Sequence, residues 1–418
     1  MSPVHVPNRT PARLAVYRHT IAAVLTLCMS VKTFGQQVAP SRDQDTRTQI
    51  PTFLRDAFLT VNIGAIDQPF SQQQLEPGFH AASVTVPPVG VRVVLLGREF
   101  NRFLSAQASY LRPVNYVTYG VIAGPDVAGH HVRVNFGALT VTGRAPVRGS
   151  LNVYGELGLG LTSRTGFDES RASVVRDAHY ASVVAGAGLE HRINRIWALT
   201  TGVTYWPGRS AVSQPRTLFA SGGVRYTMRP LPETRVEANR DSDYVFPAHL
   251  LQIEYSSGIG YAINDFVSKT VPVFWGGRAK VGFGVATHYD QNVFHTRKVF
   301  ALDLGVSAGW YKTRQNSDRF HTLSVYPLLR WFVMRPAAAD VYVVYSLAGP
   351  TYISKTVLDD LDTGHRFTFQ DFIGAGILAG RARRLNVGVK LNHYSNGNIF
   401  THNAAVMIPL TISVGYAF

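Results

Sequence analysis

One cysteine, Cys28, occurs in 418 residues, and beyond residue 35 no apolar run is long enough to cross a bilayer as a helix. A lone cysteine excludes an internal disulfide framework and the paired thiolates of a zinc finger. The missing apolar runs exclude a helical membrane protein, which needs about 20 such residues per span. Charged residues make up only 16% of the chain. They form neither a basic helix nor an aromatic-basic platform, so nucleic acid is not an expected partner. No phosphate loop precedes a helix, since Gly158-Leu159-Gly160 is strand alternation. His288-Tyr289-Asp290, close to His295, lacks tight metal-ligand spacing and reads as a strand end running into a loop, while His130-His131 opens a strand. No metal or cofactor is expected.

The N-terminus carries Arg9, Arg13 and Arg18 with no acidic residue before Asp43, then an apolar stretch from Ile21 to Val31 and small residues at Thr33 and Gly35. This order of charge, short apolar run and small-residue site is that of a secretory signal peptide over residues 1–35, cleaved after Gly35. Cys28 lies inside the apolar run after Leu27, where a lipoprotein signal would need a small residue. Removing Arg9, Arg13, Arg18 and Lys32 with the leader lowers the net charge from +15 to +11. An anionic lipid surface suits that excess as well as any polyanion does.

Segments of about ten residues with period-2 alternation recur between turn signals, the pattern of a transmembrane β-barrel. In Leu151-Asn152-Val153-Tyr154-Gly155-Glu156-Leu157-Gly158-Leu159-Gly160-Leu161, odd positions are apolar or Gly and even ones are small, polar or Tyr. After an N-terminal extension over 36–54, one set of eight segments falls near 55–66, 89–99, 102–112, 131–143, 150–163, 180–192, 196–206 and 217–229. Residues 230–247 then break the alternation with Pro230, Pro232, Pro247 and a mixed charge run, the signature of a linker on the periplasmic side. A second set follows near 249–262, 272–288, 297–314, 320–335, 340–353, 366–379, 384–395 and 405–418.

The expectation is an all-β chain with two eight-stranded antiparallel transmembrane β-barrels in tandem, over 55–229 and 248–418. Such a chain passes the bacterial outer membrane many times. A single sixteen-stranded pore is the alternative, and the linker argues against it. Phe418 ends a strand that also carries Ile412, Val414 and Tyr416 on one face, resembling the C-terminal signal read by the outer-membrane barrel assembly machinery, an expected partner.

The seventh segment of the second set ends in His393-Tyr394-Ser395-Asn396-Gly397. Leu385, Val387, Val389 and Leu391 share the parity of His393 and Ser395, so both polar residues are expected on the lipid face, where an unused polar group is a cost. Residues i and i+2 lie roughly 6.6 Å apart on one face of a strand, within reach of a base that activates a serine hydroxyl. Asn396 and the Gly397 amide follow where oxyanion donors would be needed. Asp371 shares the outward parity of Phe367, Phe369, Ile373 and Ala375. For a hairpin centred on Ala382 it pairs opposite His393, where a carboxylate could fix the imidazole tautomer. With the strand rising from the turn at Gly380–Arg384, His393 would lie roughly 25 Å up, at the outer leaflet's ester zone.

Residues 248–418 resemble the lipid A 3-O-deacylase family (PagL type) of eight-stranded outer-membrane barrels. The resemblance rests on Tyr352-Ile353-Ser354-Lys355-Thr356, on Arg366-Phe367-Thr368-Phe369-Gln370-Asp371 with Ile373-Gly374, and above all on His393-Tyr394-Ser395-Asn396. It implies His393 as general base, Ser395 as nucleophile and lipid A of lipopolysaccharide as substrate, hydrolysed at an ester-linked acyl chain. Residues 55–229 resemble the OmpA-type barrels, which implies an anchor or structural module. The family completes its triad with a glutamate at the start of the last strand, whereas Asn403–Pro409 holds no acid and none occurs after Asp371. Counting forward lands on Met407, while outward parity favours Val406 or Ile408. Either Asp371 substitutes, or Ser and His act as a dyad, or the barrel binds lipid without catalysis; a diffusion pore is disfavoured because eight-stranded lumens are packed.

Overall fold

The computed structural model describes residues 46–122, 130–169, 172–270 and 276–418, so the expected leader and its cleavage site fall outside the described residues. In chain order the first half forms β1 (Ala57–Asp67), β2 (Ala81–Thr85), β3 (Val89–Glu99), β4 (Leu104–Pro113), β5 (Val117–Ile122), β6 (His130–Arg148), β7 (Leu151–Thr165), β8 (Phe167–Glu169), β9 (Ala172–Val175), β10 (Ala178–Arg192), β11 (Trp197–Trp206) and β12 (Thr217–Thr227). Eight of these close a ring in the order β1-β3-β4-β6-β7-β10-β11-β12, with β12 pairing back on β1. β2 and β5 extend the wall beyond β6, and β8 and β9 form a separate hairpin.

The second half gives β13 (His249–Ser256), β14 (Ala279–His295), β15 (Phe300–Thr313), β16 (Arg319–Met334), β17 (Ala339–Ile353), β18 (Val357–Leu358), β19 (Leu361–Asp362), β20 (Phe367–Ala379), β21 (Leu385–Ser395) and β22 (Val406–Ala417). All except the β18–β19 hairpin close a second eight-stranded ring, sealed where Leu250 of β13 meets Ala417 of β22. Two separate closures exclude the sixteen-stranded pore.

Alternation decides the faces. On β7, Leu157 and Leu159 project outward and exposed while Glu156 and Gly160 face inward. The second barrel repeats this with Leu323, Ile412 and Val414 outside and Ser324 and Ser413 inside. An apolar exterior on a closed ring of strands is what a strand-built membrane span requires. The chain is an outer-membrane β-barrel protein.

Both lumens are filled by polar side chains. In the first, Arg144 and Arg225 converge on Glu190 at 3.1 and 2.8 Å, Arg225 also reaches Glu99 at 2.7 Å, and Arg92 binds Glu156. These three arginines thus face three glutamates inside the ring. In the second, Glu254 binds Lys390 and His288, and the Tyr326 hydroxyl donates to Asp290 at 2.8 Å. His288 and Asp290 are therefore inward residues in the middle of β14, not the strand end and loop that their polarity suggested. The strand extends to His295, and lumen contacts account for their chemistry.

Two other expectations change. The segment expected as a strand over 249–262 stops at Ser256, because Gly258 and Gly260 adopt φ of +74° and +86°, conformations open to glycine. A helix, Tyr261–Thr270, follows. The segment 230–247 is built rather than loose. It forms a helix, Glu233–Arg240, in which Val236 and Asn239 are buried. Phe246 then stacks on His295 with ring centroids 4.1 Å apart and lies under the Arg335 guanidinium, at the mouth where the chain enters β13. Arg47, from the short turn Thr46–Thr48, donates to the Phe246 carbonyl at 3.1 Å and ties the N-terminal extension to the same place.

Candidate active site

β20 and β21 are joined by a tight turn, and their register places Asp371 opposite His393, as hairpin arithmetic required. On the other side of β21, His393 faces Met407 of β22. Directly paired residues share a face of the sheet, so Asp371, His393 and Met407 form one row across three strands, on the outward parity. The row is not open to lipid, however. The three residues are only 6%, 1% and 2% exposed, whereas Ile412 and Val414 on the same wall stand open. Outward parity was correct and lipid exposure was not.

Two bulges frame the row. β17 carries an extra residue between Ser346 and Gly349, opposite the Asp371 region. There Ala348 takes φ +52° and turns its N–H onto Asp371 Oδ1 at 2.6 Å. A non-glycine residue in that region is strained by about 1–2 kcal/mol, and bulges of this kind re-aim backbone groups beside functional sites. β22 carries the second, where Lys390 pairs with Thr411 but Asn392 with Ile408, so Pro409 and Leu410 oppose Leu391. Proline has no N–H for the ladder and belongs at such a break. The inserted residue reverses parity along β22: even residues face outward at Ile412 and Val414, and the odd Met407 takes that face beyond the bulge. Simple alternation favoured Val406 or Ile408; counting from the motif gave the residue the register selects.

Met407 is covered from above. Tyr261, at the start of the helix Tyr261–Thr270, donates to the Val281 carbonyl at 2.6 Å and lies 3.2 Å from the Met407 carbonyl. Asn264 donates to the Ile408 carbonyl at 2.7 Å. The helix therefore binds the part of β22 whose ladder the bulge interrupts.

Asp371 Oδ2 lies 3.7 Å from His393 Nδ1, longer than a hydrogen bond. Ser395 follows two residues on, on the same face and half-buried. Its Oγ accepts from the Asn403 side-chain amide at 2.9 Å and from the Gly397 N–H at 3.1 Å. Asn403 carries no sequence signal beyond its place in the loop after the motif, and sequence reasoning passed over it.

The expected oxyanion donors are engaged elsewhere. Asn396 is fully buried, and its Nδ2 donates to the carbonyls of His402 at 2.7 Å and Thr363 at 3.5 Å. The Gly397 amide is bonded to Ser395 itself. In this arrangement neither points a donor at an acyl carbonyl, so the oxyanion assignment requires the loop to shift. Of the other family-like residues, Ser354 accepts from the His321 N–H at 2.8 Å and Lys355 pairs with Asp318 at 2.5 Å, at the end of β17 away from the row. Among the described residues no group of three or more His, Cys, Asp or Glu could hold a metal.

Residues 275–406 match the family model described as lipid A 3-O-deacylase (PagL). The match spans Asp371, His393 and Ser395 and stops one residue before Met407. Solved structures with similarity include the outer membrane enzyme PagL at 17% identity, covering 41% of this chain and 99% of that one with a TM-score of 0.29. Neisserial surface protein A follows at 13% identity, 41% and 97% coverage and a TM-score of 0.28. The attachment invasion locus protein Ail of Yersinia pestis gives 14%, 41%, 98% and 0.27. Among curated proteins none matches the chain.

Proposed function

We propose that the second barrel hydrolyses an ester-linked acyl chain of lipid A within the outer leaflet, with Ser395 as nucleophile and His393 as general base. The observation that carries this reading is the register row Asp371–His393, with Ser395 two residues further along the same face, inside the segment that matches a deacylase family. His393 takes the Ser395 proton as Oγ attacks the ester carbonyl, and returns it to the leaving sugar oxygen when the tetrahedral intermediate collapses to an acyl-serine. Water activated by the same imidazole then releases the fatty acid. Asp371 lies across the hairpin from His393 and stabilises the imidazolium formed in both steps.

A second reading is a barrel that binds lipid A without cleaving it. It is favoured by the apolar Met407 in the row and by the bonds that tie Ser395 Oγ to Asn403. Mass spectrometry of lipid A from cells making the wild type or Ser395→Ala separates the two. Loss of one hydroxyacyl mass with the wild type alone is expected. Identical spectra from two proteins folded in the outer membrane would leave the binding reading. Delivery by the barrel assembly machinery is part of the proposal, supported by the aromatic residues at the end of the last strand, where the Tyr416 and Phe418 rings stack.

A further inference from the structure

Among its described residues the first barrel has no His-x-Ser motif, and its lumen is lined by the arginine–glutamate ladder. Its outer wall nevertheless has an anomaly. On β6 the outward residues should stand open to lipid, as Leu139 does at 68% exposure, yet Asn135 and Gly137 on the same parity are buried. A polar amide on a lipid-facing wall is a cost unless something covers it. The cover is the loop after Ser395. The side chain of Ile399 packs over Gly137: a Cβ there would stand 3.4 Å from Ile399 Cγ2, in van der Waals contact. Beside it, the Tyr110 hydroxyl of β4 lies 2.8 Å from Asn135 Oδ1 and 3.1 Å from the Gly397 carbonyl oxygen, its one proton shared between the two acceptors.

Gly397 is thus held at both ends. Its carbonyl takes a hydrogen bond from the first barrel, and its N–H goes to Ser395 Oγ. The loop does not hold itself in an easy conformation: the non-glycine residues Asn398, His402 and Ala405 have φ between +50° and +55°, and such residues persist there only where surroundings impose it.

We propose that the first barrel is a positioning module for the reactive serine of the second, acting through Tyr110 on the Gly397 carbonyl and through the Gly137 cradle on Ile399. This rests on the hydrolase reading. Tyr110 is a positioning residue: it touches neither the nucleophile nor the base, and it fixes the peptide that binds Ser395 Oγ. The tandem arrangement then has a purpose beyond anchoring, since the wall of the first barrel supplies the Tyr110 and Gly137 contacts to this loop.

The test uses the full chain refolded in micelles containing lipopolysaccharide. Tyr110→Phe, which keeps the ring and removes the hydroxyl, is expected to lower kcat about tenfold with KM nearly unchanged and with the heat-modifiable band intact. Gly137→Leu, which drives Ile399 off the wall, should lower kcat at least as far. Leu139→Ala, on the open part of the same strand, should leave both parameters alone. A docking readout is independent of activity: in Gly137→Cys/Ile399→Cys, oxidation should yield one disulfide-linked peptide pair, and the native Cys28 lies far outside this contact in sequence.

A bridge that fails to form in the folded protein would overturn the proposal by showing that the loop does not sit on the wall. A bridge that forms, with an active wild type and an undiminished Tyr110→Phe, would overturn the positioning role. An inactive wild type with the bridge present would overturn the hydrolase reading and the positioning role with it, and leave the docked geometry standing.

Discussion

Asp371→Asn removes one charge from the row while keeping its shape. The asparagine oxygen can still accept the Ala348 N–H, now 2.6 Å from Asp371 Oδ1, so the β17 bulge retains its partner and the barrel should fold. What is lost is the field at His393. With Oδ2 at 3.7 Å from Nδ1, a full imidazolium–carboxylate attraction is about 4 kcal/mol at an effective dielectric near 20. At about 1.4 kcal/mol per tenfold in rate, that is a ceiling of roughly three orders of magnitude. The contact exceeds hydrogen-bond length, so the tautomer-fixing part of a triad acid's contribution is weaker, and the expected fall in kcat is about 10²–10³-fold, short of the roughly 10⁴ seen where the acid bonds the imidazole directly. KM should stay within a few-fold, since the imidazolium develops in the transition state. Fatty acid release from lipid A in mixed micelles measures both, with the heat-dependent gel shift as control for folding. A folded Asp371→Asn protein with kcat within twofold of wild type would refute the argument and leave Ser395 and His393 as an unaided dyad.

Met407→Glu puts a carboxylate on the other side of His393 in register; it should rescue kcat in the Asp371→Asn background by tenfold or more, and failure to rescue in a folded double variant would show that this side of the imidazole is not productive. Glu190→Gln leaves Arg144 and Arg225 short of a shared counter-charge in the first lumen, a loss of about 3–5 kcal/mol, and should lower the temperature of that barrel's gel-shift transition; an unchanged transition would mean that the ladder fills space without stabilising. Arg335→Ala removes the cation that covers Tyr244, Phe246 and Phe332 and binds Asp340. Trypsin should then cut at Arg235 or Arg240 several-fold faster, and equal rates would show that the linker is held by Arg47 and the helix Glu233–Arg240 alone.

Much of the architecture was legible in the residue order because membrane strands repeat a simple rule. Leu151–Leu161 alternates, and β7 follows with apolar residues outside. The expected strand over 89–99 is β3 as built, and a centre at Ala382 was enough to set Asp371 opposite His393, since a short turn leaves antiparallel strands one register. The site's reach ended where alternation was interrupted. An inserted residue near Pro409 turned the parity of β22 over and brought Met407, not Val406 or Ile408, to the histidine. Another near Ala348 supplied the amide that holds Asp371. Gly258 and Gly260 ended a strand that its apolar pattern would have continued.

Local order therefore determined most of the strands, the face each residue takes where alternation runs unbroken, and the neighbours a tight hairpin pairs. Those properties depend on period and turn length, both written in consecutive residues. Only the tertiary structure decided what covers those faces. The burial of His393 on an outward wall, the capture of the Asn396 and Gly397 donors, the docking of Phe246 in the barrel mouth and the seat of Ile399 on Gly137 each join residues far apart in the chain. Contacts of that kind are set by packing between closed surfaces, and no periodicity records them.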